Sequence, residues 1–133
     1  MKYHHQLESY LFPTPPAFIN CGLVFVKTYD NQSDIGGKIK GFIFTNEDSN
    51  VSISISVSEI CSMTTFIFKD QTVYELQEYL NCKKRKEEYG SNFFSVSVEK
   101  YVDNLSQLIV NEVGDIITGK RWEEIPRDWM GFK

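Results

Sequence analysis

Residues 51–58 read VSISISVS, and apolar and polar side chains alternate along them without exception. Strict alternation is typical of a β-strand, in which successive side chains point to opposite faces of a sheet. We expect one face to point into the protein core, formed by Val51, Ile53, Ile55 and Val57. The other face lacks the charged or threonine-rich mixture expected of a wetted strand and consists of Ser52, Ser54, Ser56 and Ser58.

Three explanations of this serine face stay open. The serines are simply wetted, or they are small so that another element approaches closely, or a partner docks on them or adds a strand at the edge. An uncharged strand at a sheet edge is hazardous, because an exposed edge pairs with other chains and lysines usually protect it. We therefore expect VSISISVS to be an internal or covered strand.

Other segments rich in β-branched and aromatic residues surround this strand. Short links join the first four strands, and such links favour an antiparallel meander because parallel neighbours need long crossovers. Residues 30–38 are predicted to be a turn-rich loop. The other predicted strands are residues 21–29, 40–45, 63–69 and, as a fifth strand, 93–98 with the sequence FFSVSV.

Helical spacing of apolar residues marks the rest of the chain. Residues 2–12 are predicted to be a short helix that the prolines of PTPP end. Thr72 and Glu75 match a capping box at the start of a second helix, and the strongest pattern runs from Val98 to Ile116. The sequence thus predicts a single α+β domain over residues 1–133: an antiparallel sheet of about five strands packed against two main helices, with a short N-terminal helix.

Composition narrows the functional class. The chain has 133 residues with 41% hydrophobic residues, enough for the core of one domain, and its net charge is −4. This acidity argues against direct binding of nucleic acid and fits a basic protein partner. Three widely spaced cysteines suggest reduced thiols, and neither a signal peptide nor a membrane-spanning segment is predicted, so we expect a cytoplasmic protein.

No catalytic signature occurs in the sequence. His4 and His5 are the only histidines, and adjacent residues point in different directions on a helix, so they make a poor metal-binding pair. Gly36, Gly37 and Lys38 lack the spacing of a phosphate-binding loop. We expect no catalytic residue, no metal and no cofactor.

The candidate partner-binding residues are acids in predicted loops and the tail, together with the two tryptophans. Acidic side chains speed the capture of a cationic partner, and tryptophans either anchor an interface or pin a tail to the core. The candidates are Asp30, Asp34, Glu47, Asp48, Trp122, Glu123, Glu124, Asp128 and Trp129.

Several traits together resemble a bacterial immunity protein of the contact-dependent growth inhibition type: a small acidic domain, a strand meander with two helices, and the tail GKRWEEIPRDW at residues 119–129. The resemblance covers the general character of the chain and carries over no functional residue. It implies a cytosolic protein that binds one cognate toxin domain, often a nuclease, and blocks its active site. Two alternatives stay open: a small cytosolic enzyme or ligand-binding domain with a pocket between sheet and helices, and a subunit that self-associates through strand edges or aromatic residues.

Overall fold

One antiparallel sheet forms the centre of the fold. The computed structural model describes residues 2–33, 37–60, 62–82, 96–120 and 122 of the chain. Within them, five strands pair in the order in which they follow one another in the sequence. The strands are β1 (Leu23–Ser33), β2 (Gly37–Asn46), β3 (Val51–Ser58), β4 (Met63–Lys69) and β5 (Thr72–Glu75).

Helices from both ends of the described chain accompany the sheet. They are α1 (Lys2–Leu11), α2 (Pro16–Asn20), α3 (Leu76–Cys82), α4 (Val98–Leu108) and α5 (Gly114–Ile117), and a π-helical turn (Ile109–Val113) joins α4 to α5. Among the described residues, no helix combines the length and the apolarity needed to cross a bilayer. The predicted α+β class, with a five-stranded antiparallel sheet and a short N-terminal helix, is confirmed.

The strand VSISISVS is β3, the middle strand of the sheet. All of its residues are buried, and Ile53 lies between Phe44 of β2 and Ile67 of β4. Helices α1 and α5 contact β3. The internal position and the inward direction of its apolar residues are therefore confirmed; the face that carries them is called the helix side of the sheet, and the opposite face the outer face.

Apolar side chains fill the space between the helix side of the sheet and the helices. Phe18 of α2 packs edge-on against Phe44, with ring centroids 5.3 Å apart. Burying each such side chain contributes about 1.5–3 kcal/mol. The fully buried residues of this core include Leu7, Leu11, Phe18, Phe44, Ile53, Ile55, Ile67, Leu76, Leu80 and Leu108.

The fifth strand lies elsewhere in the sequence than predicted. The predicted strand was residues 93–98. Residues 93–95 lie outside the described residues, and Val98 belongs to α4. Ser97 caps this helix, because its hydroxyl oxygen accepts a hydrogen bond from the Lys100 amide at 3.2 Å. The actual fifth strand, β5, follows β4 through a tight turn in which Asp70 has φ of 54°.

The predicted capping box at Thr72 and Glu75 is wrong, because these residues belong to a strand and not to the start of a helix. Thr72 begins β5, and α3 starts only after Glu75. The Glu75 carboxylate itself caps α3, since it accepts hydrogen bonds from the amides of Gln77 at 3.1 Å and Glu78 at 2.9 Å. One residue thus ends the last strand and begins the next helix.

Two further segments are more regular than the sequence predicts. Most of the predicted loop at residues 30–38 is strand, and the pairing of β1 with β2 continues to Ser33 opposite Gly37. After α1 ends at Leu11, as predicted, Pro16 opens the short helix α2. Proline suits the first turn of a helix because the amide hydrogen it lacks would have no partner there.

The strongly patterned second main helix changes its pitch midway. The π-helical turn follows α4 and leads directly into α5, which begins at Gly114. A Cβ atom on Gly114 would lie 2.7 Å from the Ile109 carbonyl oxygen, so glycine suits this turn. Gly119, with φ of 84°, follows the end of α5.

Candidate protein-binding surface

The predicted acid Asp30 lies on β1, and its side chain is 80% exposed. Its Oδ2 atom is 3.3 Å from the Lys40 Nζ atom on β2. Such an exposed ion pair contributes at most about 1 kcal/mol to stability. Asp30 therefore remains open to a second cation from solvent or from a partner.

The predicted acids Glu47 and Asp48 are exposed in the turn between β2 and β3. Buried Asn46 holds this turn, because its Oδ1 atom accepts hydrogen bonds from the amides of Asp48 and Ser49, both at 2.9 Å. Its Nδ2 atom donates to the Cys21 carbonyl oxygen at 2.7 Å. The same side chain thus ties the acidic turn to the start of β1.

The structure places these acids at two separate positions along β1, with the acidic turn beside its start and Asp30 three residues before its end. The first residue of this strand, Leu23, pairs with Asn46 beside the acidic turn, whereas Asp30 pairs with Lys40. About seven residues of extended chain separate the two positions, which is roughly 20 Å. The acids therefore form two separate groups along the strand and not one cluster.

The tail contributes one described candidate, Trp122. It is half-buried and packs against the core, and the Lys69 Nζ atom lies 5.9 Å from the centroid of its ring. This position favours the first of the two predicted roles, a tryptophan that pins the tail to the core, over a tryptophan that anchors an interface. The remaining candidates, Asp34, Glu123, Glu124, Asp128 and Trp129, lie outside the described residues.

The sequence did not single out the apolar edge of β1. Among the described strands, β1 pairs only with β2, and no described strand pairs with its opposite edge. Val24, Phe25 and Val26 are 46%, 40% and 52% exposed. Phe12 lies beside them, with its ring centroid 4.9 Å from that of Phe25. We call these four residues the β1 edge patch.

A β-bulge lies within this patch. The register of β1 against β2 shifts between Phe25 and Lys27, and Val26 has no partner on β2. Bulges bend and twist an edge, which hinders the uncontrolled pairing of strands. A strand with one wetted face alternates apolar and polar residues, and the consecutive apolar residues Val24, Phe25 and Val26 break this alternation. That break was the sequence signal that could have identified the patch.

The serine face of β3 lies on the outer face of the sheet, where its hydroxyls bond to neighbouring strands. The Ser52 hydroxyl is 2.7 Å from that of Thr45, and the Ser56 hydroxyl donates to the Thr64 carbonyl oxygen at 3.4 Å. The Ser54 hydroxyl is 2.8 Å from that of Tyr29. The small side chains thus let larger residues of the sheet lie across them.

Two titratable groups with raised pKa values lie at separate places and have structural partners. Burial raises the pKa of the Cys21 thiol, which donates to the Phe18 carbonyl oxygen at 3.3 Å. Burial also raises the pKa of the Tyr101 phenol, whose oxygen is 2.7 Å from the Thr65 hydroxyl. Within the described part of the chain, no three residues of the types His, Cys, Asp and Glu are placed to hold a metal ion.

A cavity of about 530 Å³ opens at the far end of the β1–β2 hairpin. The alternative prediction, an enzyme or ligand-binding domain, placed a pocket between sheet and helices. This cavity lies elsewhere. Its described lining residues are Asp30, Asn31, Gln32, Lys38 and Ile39.

Comparison of the chain with protein-family models, with curated proteins and with solved structures gave no match. Functional inference therefore depends on the surface just described.

Proposed function

We propose that the protein is a cytoplasmic immunity protein, which binds a cognate toxin domain and covers its active site. From the family resemblance, we expect this toxin domain to be a cationic nuclease. The β1 edge patch carries this proposal. Large apolar side chains on a strand edge that no described strand covers are costly to leave in water, and such patches commonly mark sites of protein–protein contact.

Two further properties support binding at the exterior. The net charge of −4 attracts a cationic domain and speeds its association. The space between sheet and helices is occupied by fully buried apolar side chains, including those of Phe18, Phe44 and Leu80. Steric cover combined with electrostatic attraction is sufficient for neutralisation and requires no turnover.

We expect a gene for a large secreted protein beside this one, and the decisive experiment uses the C-terminal domain of that protein. The domain is purified and its nuclease activity is titrated with the immunity protein. We expect activity to fall linearly and to disappear at an equimolar ratio, with a single complex in sizing chromatography.

Failure to form a complex with that domain, or the absence of such a neighbouring gene, contradicts the proposal. Complete inactivation at a small fraction of the equimolar ratio would instead indicate turnover, and so the enzyme alternative.

A further inference from the structure

We propose that the cationic toxin domain docks along the edge of β1 with which no described strand pairs, with apolar side chains against the β1 edge patch and basic side chains against Asp30 and the acidic turn at Glu47 and Asp48. This inference rests on the proposed function and specifies its surface. The arrangement matches that of specific interfaces, which have an apolar centre and a polar rim.

Phe25 and Asp30 of the proposed surface point to the same side of the sheet, whereas Val24 pairs with Thr45 and points to the outer face. Phe25 pairs with Phe44 and Asp30 pairs with Lys40, and both partners lie on the helix side of the sheet. Phe12 contacts Phe25 from the same side. A partner that covers Phe25 from the open edge therefore also reaches Asp30.

The charges along this edge are unequal. Lys40 offsets much of the charge of Asp30, whereas no ion pair is recorded for Glu47 or Asp48 among the described residues. Lys27 pairs with Ile43 and so points to the outer face, away from Phe25. We therefore expect the acidic turn to attract the partner more strongly than Asp30 does.

The apolar centre is tested by binding of the purified toxin domain, in a catalytically inactive form, to Val26→Lys. A lysine there places a positive charge in the apolar centre of an interface with a cationic partner. We expect the Kd to rise at least ~30-fold, as at an interface hot spot. Val110→Lys is the matched control, because Val110 is a 71% exposed valine on the π-helical turn, and its Kd should stay within about threefold of wild type.

The acidic end is tested by Glu47→Lys combined with Asp48→Lys. We expect the Kd to rise at least ~10-fold at low ionic strength and the difference to shrink as salt is added. Asp103→Lys, at an exposed position of α4, is the control and should bind like wild type.

The outcomes separate this inference from the proposed function. Tight binding by wild type together with wild-type affinity of Val26→Lys overturns the β1 surface and leaves the immunity function standing. Absence of binding by wild type overturns both. A wild-type dimer in sizing chromatography that Val26→Lys dissociates assigns the edge to a second copy and also overturns the inference. Melting curves establish that each variant is folded, and Phe25→Ala replaces Val26→Lys if that variant is not.

Discussion

The Tyr29 phenol reaches across the neighbouring strand β2 to the Ser54 hydroxyl on β3, with 2.8 Å between the two oxygen atoms. Gly41 of β2 pairs with Tyr29 on one side and with Ser56 on the other. A Cβ atom at position 41 would lie 2.0 Å from the Tyr29 ring. The absence of a side chain at Gly41 therefore lets the aromatic ring lie flat on the sheet and bond to the central strand.

Gly41→Ala should displace the Tyr29 ring and break its bond to Ser54. We expect a loss of roughly 1–3 kcal/mol in the free energy of unfolding, as for other overpacked sites, measured by urea denaturation. In a Tyr29→Ala background the same substitution should cost much less, because the clash is gone. Equal costs in the two backgrounds would falsify the steric explanation.

Asn46→Ala should destabilise the protein more than most polar substitutions. It removes one donor to the Cys21 carbonyl and one acceptor shared by the amides of Asp48 and Ser49. Loss of these bonds at a buried site should cost about 2–4 kcal/mol in urea denaturation. Asn31→Ala, at an exposed position, is the control and should change stability by less than about 0.5 kcal/mol.

Stability should carry a pH dependence that originates at Glu75. Burial raises the pKa of this carboxyl, and the amides of Glu78 and Gln77 only partly counteract the effect. The folded protein therefore binds the Glu75 proton more tightly than the unfolded chain does. As pH rises from about 4, near the unfolded pKa, through the raised folded pKa, this site's contribution to stability falls.

Glu75→Gln should remove that contribution, since glutamine stays neutral and keeps an acceptor oxygen for α3. Urea denaturation of both proteins at several pH values measures it. We expect the stability of wild type relative to Glu75→Gln to decrease across this interval and then to level off. A constant difference between the two proteins would contradict the assignment.

Ser49→Ala should loosen the attachment of the last described helix to the sheet. The Ser49 hydroxyl donates to the Ile117 carbonyl oxygen at 2.6 Å and accepts from the Val51 amide at 3.2 Å. We expect a loss of about 1–2 kcal/mol and faster hydrogen exchange of the α5 amides. Ser9→Ala removes an exposed hydroxyl that donates to the Gln6 carbonyl oxygen within α1, and it should leave both quantities nearly unchanged.

Patterns that depend on neighbouring residues in the sequence predicted much of the fold. Alternation in VSISISVS identified β3 and its inward face, and helical spacing located α1 and the helix that starts at Val98. The same rules missed β5, because Thr72 and Glu75 also match the pattern of a helix start. Only the pairing of Phe68 with Val73 across the sheet resolves that ambiguity.

The candidate surface was harder to predict. Exposure of Val24 and Val26 depends on the edge position of β1 and on the bulge, and both are properties of the assembled sheet. The covering of Ser54 likewise depends on Tyr29, which lies 25 positions earlier in the sequence. Local patterns carry no information about such distant contacts.

The agreement between strand order and chain order has a kinetic consequence. Every described strand pairs only with its neighbours in the sequence, so each pairing closes a short loop, and chains with such local contacts fold quickly. The five described strands are encoded between Leu23 and Glu75. On the ribosome it can therefore assemble hairpin by hairpin while α4 and α5, which cover its apolar side, are still to be synthesised.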